Sequence, residues 1–158
     1  MSATTPATAA QPVREARRDD LDWLVEGAIA MAWETEHKRL DPDTVRAGIA
    51  AGLDDPAKAR YFVADGNGAR AGTLMLTQEW SDWRNGAWWW IQSVYVAPAH
   101  RRQGVFAALY RHVEVLARDA PGVIGLRLYV ERDNGAAQRT YSALGMRDTG
   151  YRLYESEW

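Results

Sequence analysis

Residues 88–109, WWWIQSVYVAPAHRRQGVFAAL, constrain the fold more than any other stretch of the chain. The apolar and aromatic run from Trp88 to Val96 is long enough to cross a sheet. Pro98 cannot donate to a ladder and stops it. Gly104 then opens a pattern in which Leu109, Val113 and Leu116 share one face of a helix through Asp119. A buried strand therefore runs through a basic loop into a helix. The first amides of that helix lack internal partners, and the helix dipole adds partial positive charge there. Such a turn suits a phosphate group, with Gly104 letting the backbone come close and Arg101 and Arg102 adding charge.

The rest of the chain supplies the neighbours. Val13–Ala16 reads as a short strand. Asp19 and Asp20 offer N-cap oxygens before Leu21, Leu24, Val25, Ala28, Ile29 and Ala32, which recur at helical spacing. This helix fades in the polar stretch Thr35–Leu40, and Asp41-Pro42 starts a second, with Val45, Ile49 and Leu53 on its apolar face. Arg60–Ala64 and Ala71–Thr77 read as strands joined by the turn Asp65-Gly66-Asn67-Gly68. Pro121-Gly122 precedes a strand over Val123–Val130, Ala136–Leu144 a short helix, and Met146–Tyr154 a last strand. Strands alternate with helices only in the second half. That order predicts an α/β chain of α+β type, with a mixed, mostly antiparallel sheet of six to seven strands flanked by about four helices.

A length of 158 residues suits one domain, expected over residues 13–158, behind a disordered tail at residues 1–12, MSATTPATAAQP. The tail has neither the basic start nor the apolar stretch of a signal peptide. Cysteine is absent, so neither a disulfide framework nor a thiolate centre is expected, and a cytoplasmic location follows as the expectation. A net charge of −2 gives no footprint for nucleic acid. No apolar run approaches the roughly 20 residues of a membrane-spanning helix. His37, His100 and His112 have no metal-ligand spacing, so no metal is expected.

Two segments resemble one known family. Arg101, Arg102, Gln103, Gly104, Val105 and Phe106 occupy a pattern similar to the acetyl-coenzyme A loop of the GNAT acetyltransferases, Gln/Arg-x-x-Gly-x-Gly/Ala after a strand. Phe106 departs from it, standing where glycine or alanine is usual, and its side chain must point away from the phosphates. Asn134 to Met146, NGAAQRTYSALGM, is similar to the family's Asn-x-x-Ala-x-x-x-Tyr-x-x-x-Gly-Phe/Met, with Asn134, Ala137, Tyr141 and Gly145 all matching. The resemblance implies a GNAT fold and acetyl transfer from acetyl-coenzyme A to a primary amine by direct attack in a ternary complex. It implies that backbone amides from Arg102 to Ala107 hold the pyrophosphate, and that the main chain of Val94, Tyr95 and Val96 pairs with the pantetheine arm. It further implies a backbone amide near Val94 for the developing oxyanion and the Tyr141 phenol as the acid that protonates the thiolate. Asn134 either caps its helix or binds the cofactor arm, and Tyr141, two helical turns on, faces the same side.

The base is less defined. Many relatives place a glutamate where this chain has Gln92 or Tyr129, and neither a glutamine nor a neutral tyrosine takes a proton at pH 7. Glu131, on the strand face of Tyr129, Glu79 and Asp82 are alternatives, as is a water-mediated base or an amine that arrives neutral. For the acceptor amine, Trp80, Asp82 and Trp83 mix acidic groups with indole faces that suit a cation. Glu34 and Glu36 offer a second acidic site between the first two helices. The chain has eight tryptophans, five of them from Trp80 to Trp90, so two rival readings stand beside the enzyme. One is a non-catalytic acyl-coenzyme A-binding module. The other is an interaction protein or homodimer that docks through the tryptophan-rich face.

Overall fold

The computed structural model describes residues 11–158 and divides after Leu128 into two units. Most of the expected tail, residues 1–10, lies outside the described residues. Pro12 belongs to the fold, its carbonyl accepting from the Asp65 N–H at 2.9 Å.

The first unit is built on a sheet in the order β1-β2-β3-β4-β5. The strands are β1 (Val13–Glu15), β2 (Arg60–Gly66), β3 (Ala69–Ser81), β4 (Gly86–Val96) and β5 (Val123–Arg127). The first three pairings are antiparallel and β4 with β5 is parallel. The β2–β3 turn has φ of 52° at Asn67 and 76° at Gly68, as a two-residue hairpin with two positive-φ centres needs.

Helices cover both faces. β2 reads Tyr61-Phe62-Val63-Ala64, all buried, because each face of the sheet has a partner. Tyr61 and Val63 pack with Leu24 and Val25 of α1 (Leu21–Glu36) and Ile49 of α2 (Pro42–Asp54). Phe62, one residue on, points to the other face, its ring 5.5 Å from His112 on α3 (Val105–Asp119). The Asp41 carboxylate caps α2, accepting from the Thr44 N–H at 2.9 Å, with Pro42 in the first turn as expected.

Asp20 precedes α1 without capping it by its side chain. The carboxylate, 1% exposed, instead accepts from Arg14 at 2.8 and 3.0 Å, Arg70 at 2.6 Å and the Arg17 N–H at 2.7 Å. Burial alone would raise its pKa, but these donors together hold it well below the usual carboxylate range.

The second unit holds α4 (Gly135–Ala143) and no strand. The expected final strand, Met146–Tyr154, is therefore absent, and the sheet has five strands among the described residues, not six to seven. The cause is local. The Asp148 carboxylate takes the Gly150 N–H at 2.8 Å and the Thr149 hydroxyl takes the Tyr151 N–H at 3.3 Å, engaging amides a ladder would need. β5 also ends at Arg127, three residues before the expected Val130. Its pairing with β4 stops at Trp90↔Arg127.

Candidate active site

That early stop is what makes a site. β4 continues from Ile91 to Val96 beside β3 alone, leaving its other edge without a strand partner among the described residues. Ala97 donates to the Ala71 carbonyl of β3 at 2.8 Å. Main-chain groups alternate sides along a strand, so Tyr95 faces β3 while Val94 and Val96 face the open edge.

The edge is also kinked. Thr73 pairs with Tyr95 and Met75 with Gln92, so Leu74 opposes both Ser93 and Val94. Ser93 carries φ of 50°, the left-handed conformation a two-for-one bulge can require. The bulge turns the Val94 main chain outward at the middle of the open edge. Gln92, just before it, donates through Nε2 to the Thr77 hydroxyl at 2.6 Å and presents no basic group.

Beyond Val96 the chain turns through Pro98–His100 and reaches α3 with φ of 61° at Arg102 and 77° at Gly104. Left-handed residues alternating with Gln103, which has no positive φ, can aim successive backbone N–H groups into a common concavity. Gly104 is the N-cap of α3 and supplies no side-chain cap. The first intrahelical bond runs from Ala108 N–H to the Gly104 carbonyl at 3.0 Å, so the amides of Val105, Phe106 and Ala107 precede the helical ladder. A methyl group placed at Gly104 would meet nothing within 4 Å, so the cradle is open. Phe106 is half-buried, with its ring 6.3 Å from Tyr110 one turn on, leaving the concavity clear along that flank. Open amides, a bulged free edge and a basic loop fit a diphosphate joined to a thin amide-bearing arm.

Arg101 links this loop to α1. Its Nε donates to the Val96 carbonyl at 3.0 Å and its guanidinium pairs with Glu34 at 2.6 Å. The Val96 carbonyl is thus engaged, and the open edge offers the N–H groups of Val94 and Val96 and the Val94 carbonyl. α1 reaches β4 because Gly27 has no side chain. A Cβ there would lie 2.9 Å from the Tyr95 ring. Gln103 donates to the Ala99 carbonyl at 3.2 Å and braces the loop.

The remaining expected residues are placed otherwise. The Glu79 carboxylate pairs with Arg127 at 2.5 Å, and Arg127 lies 3.9 Å over the Trp88 ring. Arg84 also lies over Trp88, at 5.3 Å. These charges and indoles hold one another at the β3–β4 hairpin. Trp80 and Trp83, 64% and 87% exposed, stand at that hairpin with Asp82, whose carboxylate accepts from the Trp83 N–H at 2.8 Å. At about 3.3 Å per residue the start of β4 is roughly 20 Å along the strand from the bulge. The structure places Glu79, Trp80, Asp82 and Trp83 together at the β3–β4 hairpin, toward the far end of β4 from the bulge.

In the second unit, Asn134 Oδ1 accepts from the Ala137 N–H at 3.1 Å, so of the two roles weighed for Asn134 the cap is observed. Glu131 is not on a strand, and its carboxylate accepts from the Asp133 N–H at 2.7 Å in the turn before α4. Tyr141 is half-buried on α4, and burial pushes its phenol pKa above the ordinary value. Sequence pattern alone does not single out Trp33, on the last turn of α1 with Arg39 5.2 Å over its ring. An aromatic near the end of the first helix, beside Glu34 and Glu36, was the available signal.

The model of the acetyltransferase (GNAT) family matches residues 18–146, from before α1 to past α4. The chain belongs to the GNAT acetyltransferase family. A solved structure of a possible acetyltransferase from Clostridium difficile 630 is 41% identical, with a TM-score of 0.86 over 93% of this chain and 97% of that one. A predicted acetyltransferase with acetyl-CoA from Clostridium acetobutylicum shares the fold at 15% identity, TM-score 0.73, covering 92% of this chain and 96% of that one. AAC(6')-Iy in complex with the bisubstrate analog CoA-S-monomethyl-acetylneamine does so at 16% identity, TM-score 0.74, covering 94% and 98%. No curated protein matches the chain. This GNAT chain is accordingly an acyltransferase. Among the described residues it has no helix long and apolar enough to cross a membrane and no group of side chains that could hold a metal ion.

Proposed function

We propose that this GNAT enzyme moves an acetyl group from acetyl-coenzyme A to a primary amine by direct attack within a ternary complex. The observation that carries the reading is the uncapped start of α3 at Gly104, standing at the end of an open, bulged β4 edge. In this reading the amides of Arg102 to Ala107 hold the pyrophosphate, with Arg101 and Arg102 adding charge. The Val94 and Val96 main chain orients the arm. Bound acetyl-coenzyme A supplies a thioester carbonyl that an amine nitrogen can attack. The Val94 N–H at the bulge stabilises negative charge as it develops on that carbonyl oxygen. Tyr141 holds the proton that the departing sulfur needs, and its raised pKa keeps it protonated through the physiological range.

Residues 13–158 act as one catalytic domain in this account. The acceptor enters by the α1–α2 turn, where Glu34 and Glu36 supply negative charge. With Gln92 tied to Thr77, no side-chain base is assigned on β4, and the amine arrives neutral or loses its proton through water. A cytoplasmic site of action accords with a cosubstrate made inside the cell.

The same Gln92 contact favours one rival, a module that binds acyl-coenzyme A without turning it over. Titration calorimetry with coenzyme A, paired with thiol release over a panel of primary amines, separates the two. Binding with amine-dependent thiol release supports the enzyme. Binding with no release on any amine leaves the module.

A further inference from the structure

We propose that the exposed face of Trp33 is a cation subsite, filled in the resting chain by Arg39, and that it selects linear acceptors carrying a second positive charge. The inference rests on the acetyl-transfer reading for the acceptor's entry at the α1–α2 turn and adds the chemistry that turn recognises.

Trp33 is 48% exposed, unusual for an indole on a helix whose other flank is core. α1 ends at Glu36, and His37 takes a left-handed φ of 52°, its N–H returning to the Trp33 carbonyl at 3.1 Å. The Lys38 N–H closes on the Ala32 carbonyl at 3.2 Å. This turn folds the following residues back, so that Arg39 places its guanidinium 5.2 Å from the Trp33 ring centroid while His37 meets the same ring edge-on at 5.4 Å. The negative face of an indole attracts a cation, but at an exposed site the attraction is weak enough for another cation to exchange. Glu36, three residues from Trp33, shares its helix flank and supplies counter-charge.

The subsite is also anchored. Glu34, next to Trp33, pairs with Arg101, and Arg101 holds the Val96 carbonyl at the open β4 edge. A ligand cation on Trp33 therefore sits at the end of α1 fixed to the strand that carries the bulge. An acceptor with two amines joined by a flexible chain can leave one on the indole while the other is presented for acetylation. A monoamine of the same length gains nothing from the ring.

The test uses 1,4-diaminobutane and n-butylamine, which share a carbon chain and differ in the second charge, on the full chain with acetyl-coenzyme A. The expected kcat/KM favours the diamine, and Trp33→Ala brings the ratio down about three- to fivefold. Arg39→Gln removes the resident cation and raises the diamine preference. A binding arm is independent of turnover. The Trp33 indole N–H resonance, identified by its loss in Trp33→Phe, is expected to shift with diamine and at lower concentration in Arg39→Gln. No shift, or no effect of Arg39→Gln on it, overturns the subsite even if acetylation proceeds. A shift without acetylation of any amine overturns the transfer reading and leaves the subsite standing.

Discussion

The Nε of Arg101 donates to the main-chain carbonyl of Val96 at 3.0 Å, joining the basic loop to the strand edge that the cofactor arm is proposed to follow. Because the same guanidinium holds Glu34 at 2.6 Å, one side chain ties the basic loop, β4 and α1 together. Arg101→Ala is expected to weaken coenzyme A binding by about tenfold, roughly 1.4 kcal/mol, through loss of charge and of loop order. Titration calorimetry measures it. An affinity equal to that of the parent would remove Arg101 from the cofactor site.

Tyr141→Phe keeps the ring and deletes the proton. Turnover is expected to fall by on the order of a hundredfold, while coenzyme A affinity stays within about twofold. Burial raises the Tyr141 pKa above its ordinary value, so an acid role predicts a rate that rises as the amine loses its proton and declines only once the phenol ionises at alkaline pH. In Tyr141→Phe that alkaline limb should vanish. A fully active variant with an unchanged profile would end the assignment.

Asp20 carries a separate prediction about stability. Its pKa is depressed in the folded state, so its contribution is present above the unfolded carboxylate value of about 4 and is lost as pH falls below that. Asp20→Asn leaves Arg14 and Arg70 without their shared partner and should cost about 3–5 kcal/mol at pH 7. Urea denaturation at pH 7 and pH 3 reads both, and the gap between parent and variant should narrow at the lower pH, where the unfolded carboxylate is protonated and the folded one is still ionised. An equal gap at both values would contradict the linkage.

Gly27→Ala tests how α1 is placed. The added methyl would lie 2.9 Å from the Tyr95 ring, so the helix or the ring must move. A destabilisation of about 1–3 kcal/mol is expected, with KM for the amine raised more than that for acetyl-coenzyme A. Thermal denaturation and steady-state kinetics check the two effects separately.

The strand–loop–helix of β4 and α3 was legible because its punctuation is chemical. Pro98 ends a ladder and Gly104 takes a φ of 77° that few other residues tolerate. The Asn67-Gly68 hairpin and the Asp41-Pro42 helix start were legible for the same reason. The last strand was not. Tyr151 and Leu153 alternate as a strand would, but Asp148 and Thr149 take nearby amides with their own side chains. Glu131 followed a strand that ends earlier, since the end of β5 is set by where β4 leaves it, which no local pattern records. Glu79 read as a free carboxylate because its partner, Arg127, is 48 residues away in sequence. The tryptophan cluster advertised recognition, yet Trp89 is core and Trp88 is packed under arginines.

Coenzyme A titrated into the parent, Gly104→Ala and Gly104→Glu, with folding checked by circular dichroism, tests the amide cradle most directly. Alanine strains a left-handed backbone by about 1–2 kcal/mol but adds no charge, so binding should persist. Glutamate brings bulk and negative charge to the concavity, and binding should disappear from a chain that is still folded. A Gly104→Glu protein that binds coenzyme A as tightly as the parent would contradict the cradle.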